Sequence, residues 1–203
     1  MSLFLGPLDP LGRVPPRQQT RVATFLISAH GALARQLAFT LPWQMNAGWQ
    51  TELNAQFYRE AEIVSLLLRA TSWVIDPELL MLSASWETAW LPRPLAGLSD
   101  RSSDKSLALN IDIAALGHAL HAAIRPAALL PDKVLAEDPF VMALRRIEFE
   151  SGRLIQAQIL FLKGRDLLLC REAVNSAVES RHHQVRKLWT EMLASIGVAE
   201  KTA

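Results

Sequence analysis

Cysteine and tyrosine are almost missing from this sequence. Cys170 is the only cysteine among 203 residues, which excludes a disulfide within the chain and is typical of a protein kept in a reducing compartment. Tyr58 is the only tyrosine, whereas tryptophan occurs six times. The chain must therefore fold without an internal covalent crosslink, and the tryptophans are its informative aromatic residues.

The sequence also has no large excess of charge and no long apolar run. Its formal net charge is +1, so no concentrated basic surface for nucleic acid or an anionic membrane is expected. No stretch approaches the roughly 20 continuous apolar residues that cross a bilayer. Gly6, Pro7 and Pro10 interrupt the apolar start, which does not fit a secretory signal. These features predict a cytoplasmic protein that neither binds nucleic acid nor inserts into a membrane.

The sequence motifs of common catalytic sites are missing as well. No Gly-x-Ser-x-Gly turn is present to expose a serine nucleophile. The glycines are scattered singly, so they do not form a phosphate-binding loop. We therefore expect a protein that is not an enzyme and that uses no cofactor.

Helical periodicity is the main positive signal in the chain. Apolar residues recur at spacings of three and four from residue 20 onward, without sustained strand alternation. The prediction is an all-α protein, an irregular multi-helix domain with an amphipathic C-terminal helix. Segment 153–170 is ambiguous between helix and hairpin, and its glutamine, alanine and leucine content favours helix.

Proline, glycine and the composition divide the chain into four predicted parts. These are an irregular leader at 1–19, a tryptophan-rich helical subdomain at 20–92, a loop at 93–106, and a helical subdomain ending in the amphipathic helix at 107–203. Helices are predicted to begin near residues 20, 51, 76, 106, 139 and 171, and Gly197 is predicted to end the last one. Pro77 and Pro139 each follow an aspartate, which is typical of an N-cap and first helical position.

Five of the six tryptophans lie between residues 43 and 90. The favoured interpretation is a large aromatic core that joins the first three helices. In the alternative, Trp86 and Trp90 lie one helical turn apart on the surface and anchor a partner protein.

The C-terminal helix offers a second candidate interaction surface. Apolar residues repeat along it by fours and threes, as in a heptad seam, with Arg181 as the one charged interruption. Such a seam suits helix-in-groove contacts with another protein. Together, the residues predicted to bind a partner are Trp86, Trp90, Val178, Val185, Leu188, Trp189 and Met192.

The same helix contains the stretch VESRHHQVRKLW, which has the best candidate metal ligands. Glu179 and His182 have the Glu-x-x-His spacing of carboxylate-bridged metal sites in helical bundles. No other glutamate precedes a histidine by three residues, so we interpret the two histidines as the flank of an interaction helix. Arg171, Arg181, Arg186 and Lys187 are interpreted as part of a mixed-charge, solvated face.

Two alternatives to a binding protein remain open from the residues. One is a metal-dependent helical-bundle enzyme that uses Glu179, His182 and carboxylates of other helices. The other is a ligand-sensing helical domain lined by Trp73, Trp86 and Trp90. His118 and His121, three residues apart, are interpreted as ordinary helix residues, because no cysteine or acidic residue stands near them in sequence.

The segment Leu107–Arg146 contains a leucine-rich helix with the pattern Leu-Gly-x-Ala-Leu-His at 116–121. An acidic start at Asp132 and the ending Ala-Leu-Arg-Arg at 143–146 follow. This arrangement resembles the C-terminal part of the type III secretion accessory subunit K, a family of cytoplasmic sorting-platform proteins.

The resemblance implies a non-enzymatic adaptor without catalytic residues. Its partners would be other protein subunits, those of the secretion inner-membrane ring and of the cytoplasmic platform beneath the ATPase. In plant-associated bacteria such a subunit would be linked to nodulation or virulence. The amphipathic helices and surplus tryptophans independently favour a protein-binding role.

Overall fold

The computed structural model describes residues 16–43, 47–71, 86, 88–91, 102–128, 139–164 and 168–199. Within these ranges the chain is almost entirely helical and contains no strand. The predicted all-α class is therefore confirmed.

Five α-helices make up this part of the chain. They are α1 at Pro16–Thr40, α2 at Ala47–Ala70, α3 at Ser102–Ala128, α4 at Pro139–Gly164 and α5 at Leu168–Ala199. Short 3-10 helices at Leu41–Trp43 and Thr88–Trp90 accompany them. The helix predicted to begin at residue 76 lies mostly outside the described residues.

Helix boundaries depart from the sequence prediction where a breaker residue is tolerated. α1 begins at Pro16, so residues 16–19 of the predicted leader are helical, because proline suits the first turn of a helix. α3 begins at Ser102 and continues past Pro126 to Ala128. Because Pro126 lies near the end of the helix, its missing N–H removes only one backbone hydrogen bond. α5 continues past Gly197 to Ala199, so the predicted end at this glycine was wrong.

The ambiguous segment 153–170 is helical wherever it is described. Residues 153–164 continue α4 without a break, and residues 168–170 begin α5. The favoured helical interpretation is therefore right for these residues, in agreement with their content of good helix formers.

The helices from the two predicted subdomains share one core. α1 packs along α2, α3 packs against both α4 and α5, and α2 also contacts α4. Buried apolar side chains of all five helices belong to a single hydrophobic cluster. The division into 20–92 and 107–203 therefore does not correspond to separate cores.

An aromatic cluster around Phe25 joins three parts of the fold. The Phe25 ring centroid lies 5.2 Å from those of Trp86, Trp90 and Trp189, with interplanar angles of 67°, 86° and 85°. These are edge-to-face contacts, the arrangement that aromatic quadrupoles favour. The Trp90 indole nitrogen also donates a hydrogen bond of 3.1 Å to Ser28 Oγ. The cluster thus ties α1 to Trp86, to the turn at 88–91 and to α5.

Among the described residues, two helices are long and apolar enough to span a membrane by length and composition alone. They are Gln19–Thr40 in α1 and Leu107–Arg125 in α3, whose apolar windows are 50% and 67% buried within the fold. Mostly buried helices of soluble proteins have the same composition, so this similarity is weak evidence for a membrane location.

Replacing Phe25 with alanine should destabilise the protein by about 3–5 kcal/mol, because the substitution leaves a cavity among three tryptophans. Phe39→Ala, on the exposed side of the same helix, should change stability by no more than about 0.5 kcal/mol. Urea denaturation followed by circular dichroism measures both. Equal effects of the two substitutions would contradict the assignment of Phe25 to the core.

Candidate functional site

The guanidinium of Arg181 is completely buried, with 0% relative exposure. It lies on α5 and pairs with Asp112 on α3, with distances of 2.8 Å from Nε to Oδ1 and 2.5 Å from Nη2 to Oδ2. This fork-to-fork geometry is the strongest form of an arginine–carboxylate interaction. Asp112 is also buried, so each charge depends on the other for its compensation.

The remaining donors of Arg181 hold a turn of the chain. Nη1 donates to the Ala89 carbonyl at 3.1 Å and to Gln184 Oε1 at 2.7 Å, and Nη2 donates to the Leu91 carbonyl at 2.8 Å. Together with the Asp112 contacts, these bonds use all five guanidinium N–H groups. Gln184 Nε2 donates to the Ala89 carbonyl as well. The turn at 88–91 is therefore fastened to α3 and α5.

An apolar cavity of about 250 Å³ opens between α1, this turn and α3. Its walls are built from Ala32, Arg35, Gln36, Phe39, Thr40, Trp90, Leu91 and Leu109. Phe39 is 76% exposed and Leu91 is 58% exposed, so two large apolar side chains lie at the entrance in contact with water. We call this cavity and its two exposed side chains the Phe39–Leu91 surface.

The turn is also fastened to α1, on the other side of the cavity. Gln36 Nε2 donates a hydrogen bond to the Trp90 carbonyl, and the Trp90 indole bonds to Ser28. Because the carbonyls of Ala89 and Leu91 accept hydrogen bonds from Arg181 on α5 and that of Trp90 accepts one from Gln36 on α1, the wall that carries Leu91 is held from both sides.

Most of the residues predicted to bind a partner lie inside the protein. The side chains of Trp86, Trp90, Val185, Trp189 and Met192 are buried, and those of Val178 and Leu188 are half-buried against the core. An exposed surface made of these residues was therefore a wrong expectation, whereas the core interpretation of Trp86 and Trp90 was right. The heptad spacing of α5 packs against its own chain, because a coiled-coil seam and a core-facing stripe have nearly the same period.

The interpretation of the basic residues on α5 was wrong for one of them. Arg171, Arg186 and Lys187 are exposed, as expected of a solvated face. Arg181 is buried instead. Its partner Asp112 is 69 residues away in sequence, and nothing in the local pattern of either helix indicates the pair.

The two adjacent histidines of α5 have different surroundings. His182 is half-buried, and its Nε2 lies 2.8 Å from Nδ1 of His118 on α3. One nitrogen of this pair must donate and the other accept, so the contact requires at least one unprotonated imidazole nitrogen. His183 is exposed, in agreement with its predicted position on the solvent side.

Metal ligands do not converge in the described part of the chain. Neither His182 nor any other described side chain belongs to a group of three or more histidine, cysteine, aspartate or glutamate residues placed to hold an ion. His182 contacts His118, while Glu179 is exposed. His121 Nε2 lies 3.2 Å from the Glu148 carbonyl and 3.5 Å from its carboxylate, so this histidine connects α3 to α4.

A second buried polar network was not anticipated from the sequence. His30 Nδ1 lies 2.5 Å from Glu60 Oε2, Gln56 donates to the other Glu60 oxygen at 3.4 Å, and Gln158 donates to Gln56 at 2.8 Å. All four side chains are buried. The network connects α1, α2 and α4. No local signal distinguishes these polar residues from those of a solvated face.

Comparison with protein families, curated proteins and solved structures gave no match to this chain. The resemblance of Leu107–Arg146 to subunit K therefore remains a prediction from those residues.

Arg181→Met should destabilise the protein by about 3–5 kcal/mol, because it leaves the Asp112 carboxylate buried without a partner. The double variant Arg181→Met/Asp112→Leu should recover part of the lost stability, because no unpaired charge is then buried. It should not recover the part that comes from the hydrogen bonds of Arg181 to the turn carbonyls. Lys187→Met is the matched control. It removes an exposed cation on the same helix and should change stability by no more than about 0.5 kcal/mol. Urea unfolding of the four proteins would contradict the pairing if the double variant were no more stable than Arg181→Met.

Stability should decrease as the pH falls below 6.5, in part because of His182. Burial, with a smaller effect from Arg186, lowers the pKa of His182 below its ordinary 6.5. The unfolded chain therefore takes up this proton first. The stability that folding gains by keeping His182 neutral is fully present above pH 6.5. It decreases as the pH falls toward the lowered pKa of the folded protein, and no further loss from His182 occurs below that pKa.

Unfolding midpoints measured between about pH 8 and about pH 5 test this dependence. His182→Gln should reduce the slope in the acidic range, whereas the control His183→Gln should leave it unchanged. An identical slope for wild type and His182→Gln would show that other groups account for the dependence.

Proposed function

We propose that this protein is a non-enzymatic, cytoplasmic adaptor that binds another protein through the Phe39–Leu91 surface. The observation that carries the proposal is the pair of large apolar side chains, 76% and 58% exposed, at the mouth of an apolar cavity. Single exposed apolar residues need no explanation, but two that flank a cavity form a binding-site pattern.

The geometry of the surface supports binding without rearrangement. The turn that carries Leu91 is bonded to Arg181 through two carbonyls, and Phe39 lies on α1, whose buried apolar side chains belong to the core. A surface already held in its binding shape loses little conformational freedom when a partner binds. Aromatic and aliphatic side chains of this kind supply much of the binding energy in protein interfaces.

The resemblance to subunit K suggests which partners the adaptor serves. The resembling segment covers most of α3 and the first turns of α4, and it includes Leu109 in the wall of the cavity. We propose that the partners are other type III secretion subunits, at the inner-membrane ring and the cytoplasmic platform, in a bacterium whose secretion serves nodulation or virulence. The proposal includes neither insertion into a membrane nor binding of nucleic acid.

Phe39→Asp and Leu91→Asp should each reduce capture of the partner by at least about tenfold, because charge at the centre of an apolar contact removes a hot spot. Phe149→Asp is the matched control, since Phe149 is 67% exposed on α4 and does not line the cavity. Affinity purification of tagged protein with mass spectrometry measures capture. Recovery of metabolic enzymes without any secretion subunit would contradict the proposed function.

Binding of a small ligand is the second candidate, because Trp90 forms part of the cavity wall. A ligand seated there would alter tryptophan fluorescence. The cavity volume of about 250 Å³ lies below the roughly 300–1,000 Å³ of pockets that enclose drug-sized ligands. This comparison favours a side chain of a protein partner as the occupant.

A further inference from the structure

We propose that the contact between His118 and His182 is a proton-sensitive latch. It holds α5 on α3 at neutral pH and releases this part of α5 in acid without unfolding the rest of the protein. The described lining of the Phe39–Leu91 surface includes neither histidine. The inference is therefore independent of the proposed function.

The two imidazole rings meet where one helix packs on the other. Nδ1 of His118 lies 2.8 Å from Nε2 of His182, and the ring centroids are 5.0 Å apart. Both side chains are half-buried, whereas the nearby Ala119 on α3 and Val185 on α5 are buried. The contact thus lies at the margin of the core, where it joins two helices and still exchanges protons with water.

The number of protons on the pair decides whether this contact can form. A hydrogen bond between two ring nitrogens needs one nitrogen that donates and one that accepts. The pair meets this condition when both imidazoles are neutral and when one of them is protonated. When both are protonated, both nitrogens carry a hydrogen and both rings carry a positive charge, so the contact becomes repulsive. The second proton therefore favours separation of α3 from α5 at this point.

The surroundings of His182 oppose protonation while the latch is closed. Burial, with a smaller effect from Arg186 one turn further along α5, lowers the pKa of His182 below its ordinary 6.5. The preceding residue, Arg181, is paired with Asp112 on α3, and Glu179 is exposed to solvent, which screens its charge. Separation from α3 returns His182 toward its ordinary pKa. Opening thus takes up a proton, and it becomes more favourable as the pH falls below 6.5.

The neighbouring histidine of α3 should respond in the opposite way. His121 lies one turn after His118, and its Nε2 is 3.5 Å from the Glu148 carboxylate on α4. A proton on His121 makes this contact an attractive ion pair. α1 meets α5 through the uncharged rings of Phe25 and Trp189. Acid should therefore loosen α3 from α5 but not from α4.

The Arg181–Asp112 pair keeps the opening local. It contains no imidazole, and it fastens α3 to α5 through two hydrogen bonds. Trp189 and Met192, further along α5, also belong to the hydrophobic cluster. One half-buried hydrogen bond is a small part of the stability of a whole domain, so its loss should open the helix around His182 without global unfolding.

Hydrogen–deuterium exchange of the full-length protein at about pH 7.5 and about pH 5 measures this opening, once the rates are corrected for the pH dependence of intrinsic exchange. Protection of peptides that contain His182 and Val185 should decrease by at least about fivefold in acid, because uptake of one proton changes an opening equilibrium by at most about tenfold per pH unit. Peptides from α2 and from residues 140–149 of α4 should change by less than about twofold.

The double variant His118→Gln/His182→Gln is the decisive comparison, because a glutamine pair can donate and accept a hydrogen bond but binds no proton. Its protection around residue 182 should be equal at the two pH values. The control His183→Gln, at an exposed position of the same helix, should lose protection as the wild type does. Equal losses in the wild type and the double variant, no loss in the wild type, or the same loss in all helices would each overturn the inference.

Nuclear magnetic resonance of the wild-type protein gives a test that does not depend on folding of the double variant. The ring signals of His118 and His182 should titrate together in two steps, as expected of coupled groups. Exchange of the Val185 amide should accelerate over the second step. Independent single-step titrations of the two rings would also overturn the inference.

Discussion

The fold depends on a charge pair that is fully removed from water. Burying the Arg181 guanidinium and the Asp112 carboxylate costs several kcal/mol for each ion, and the cost is offset only because the two are bonded to each other and to every available neighbour. Five donors meet five acceptors from α3, α5 and the turn at 88–91. Any relative shift of these elements would leave a buried charge or carbonyl without a partner, so the pair defines one packing arrangement among many that apolar contacts would allow.

The position of the turn has consequences for both the core and the surface. Since Ala89 and Leu91 are held by their carbonyls, Trp90 between them is directed into the interior, where it meets Phe25. Leu91 is left exposed next to the cavity. A buried ion pair on one side of the turn thereby shapes the Phe39–Leu91 surface on the other. The network of His30, Glu60, Gln56 and Gln158 has a comparable effect between α1, α2 and α4, because its hydrogen bonds between helices form only when the three helices are in register.

The proposed function moves the interaction surface from α5 to α1 and the turn. The seam of α5 is rich in apolar residues because it faces α3 and α1 within the same chain. The side chains that remain in water next to a cavity are two residues, Phe39 and Leu91, which no periodic pattern would single out. Phe39 is 76% exposed although its helix neighbours Leu33 and Leu37 are buried. An exposed pair of apolar residues that flanks a cavity is a more specific sign of binding than a continuation of the apolar stripe of a helix.

The sequence by itself determined the all-α class and the start of α4 at Pro139, and it favoured helix over hairpin for segment 153–170. These features depend on residue propensities and on proline, which act within a few residues of the backbone. Sequence could not determine which apolar stripe faces a partner and which faces the core, because both have the same spacing. Nor could it identify the Phe39–Leu91 surface, or distinguish the buried Arg181 from the exposed Arg186 and Lys187 of the same helix. Only the tertiary structure decided these points, since burial depends on what packs against a residue, and the partner of Arg181 comes from a helix 69 residues earlier in the chain.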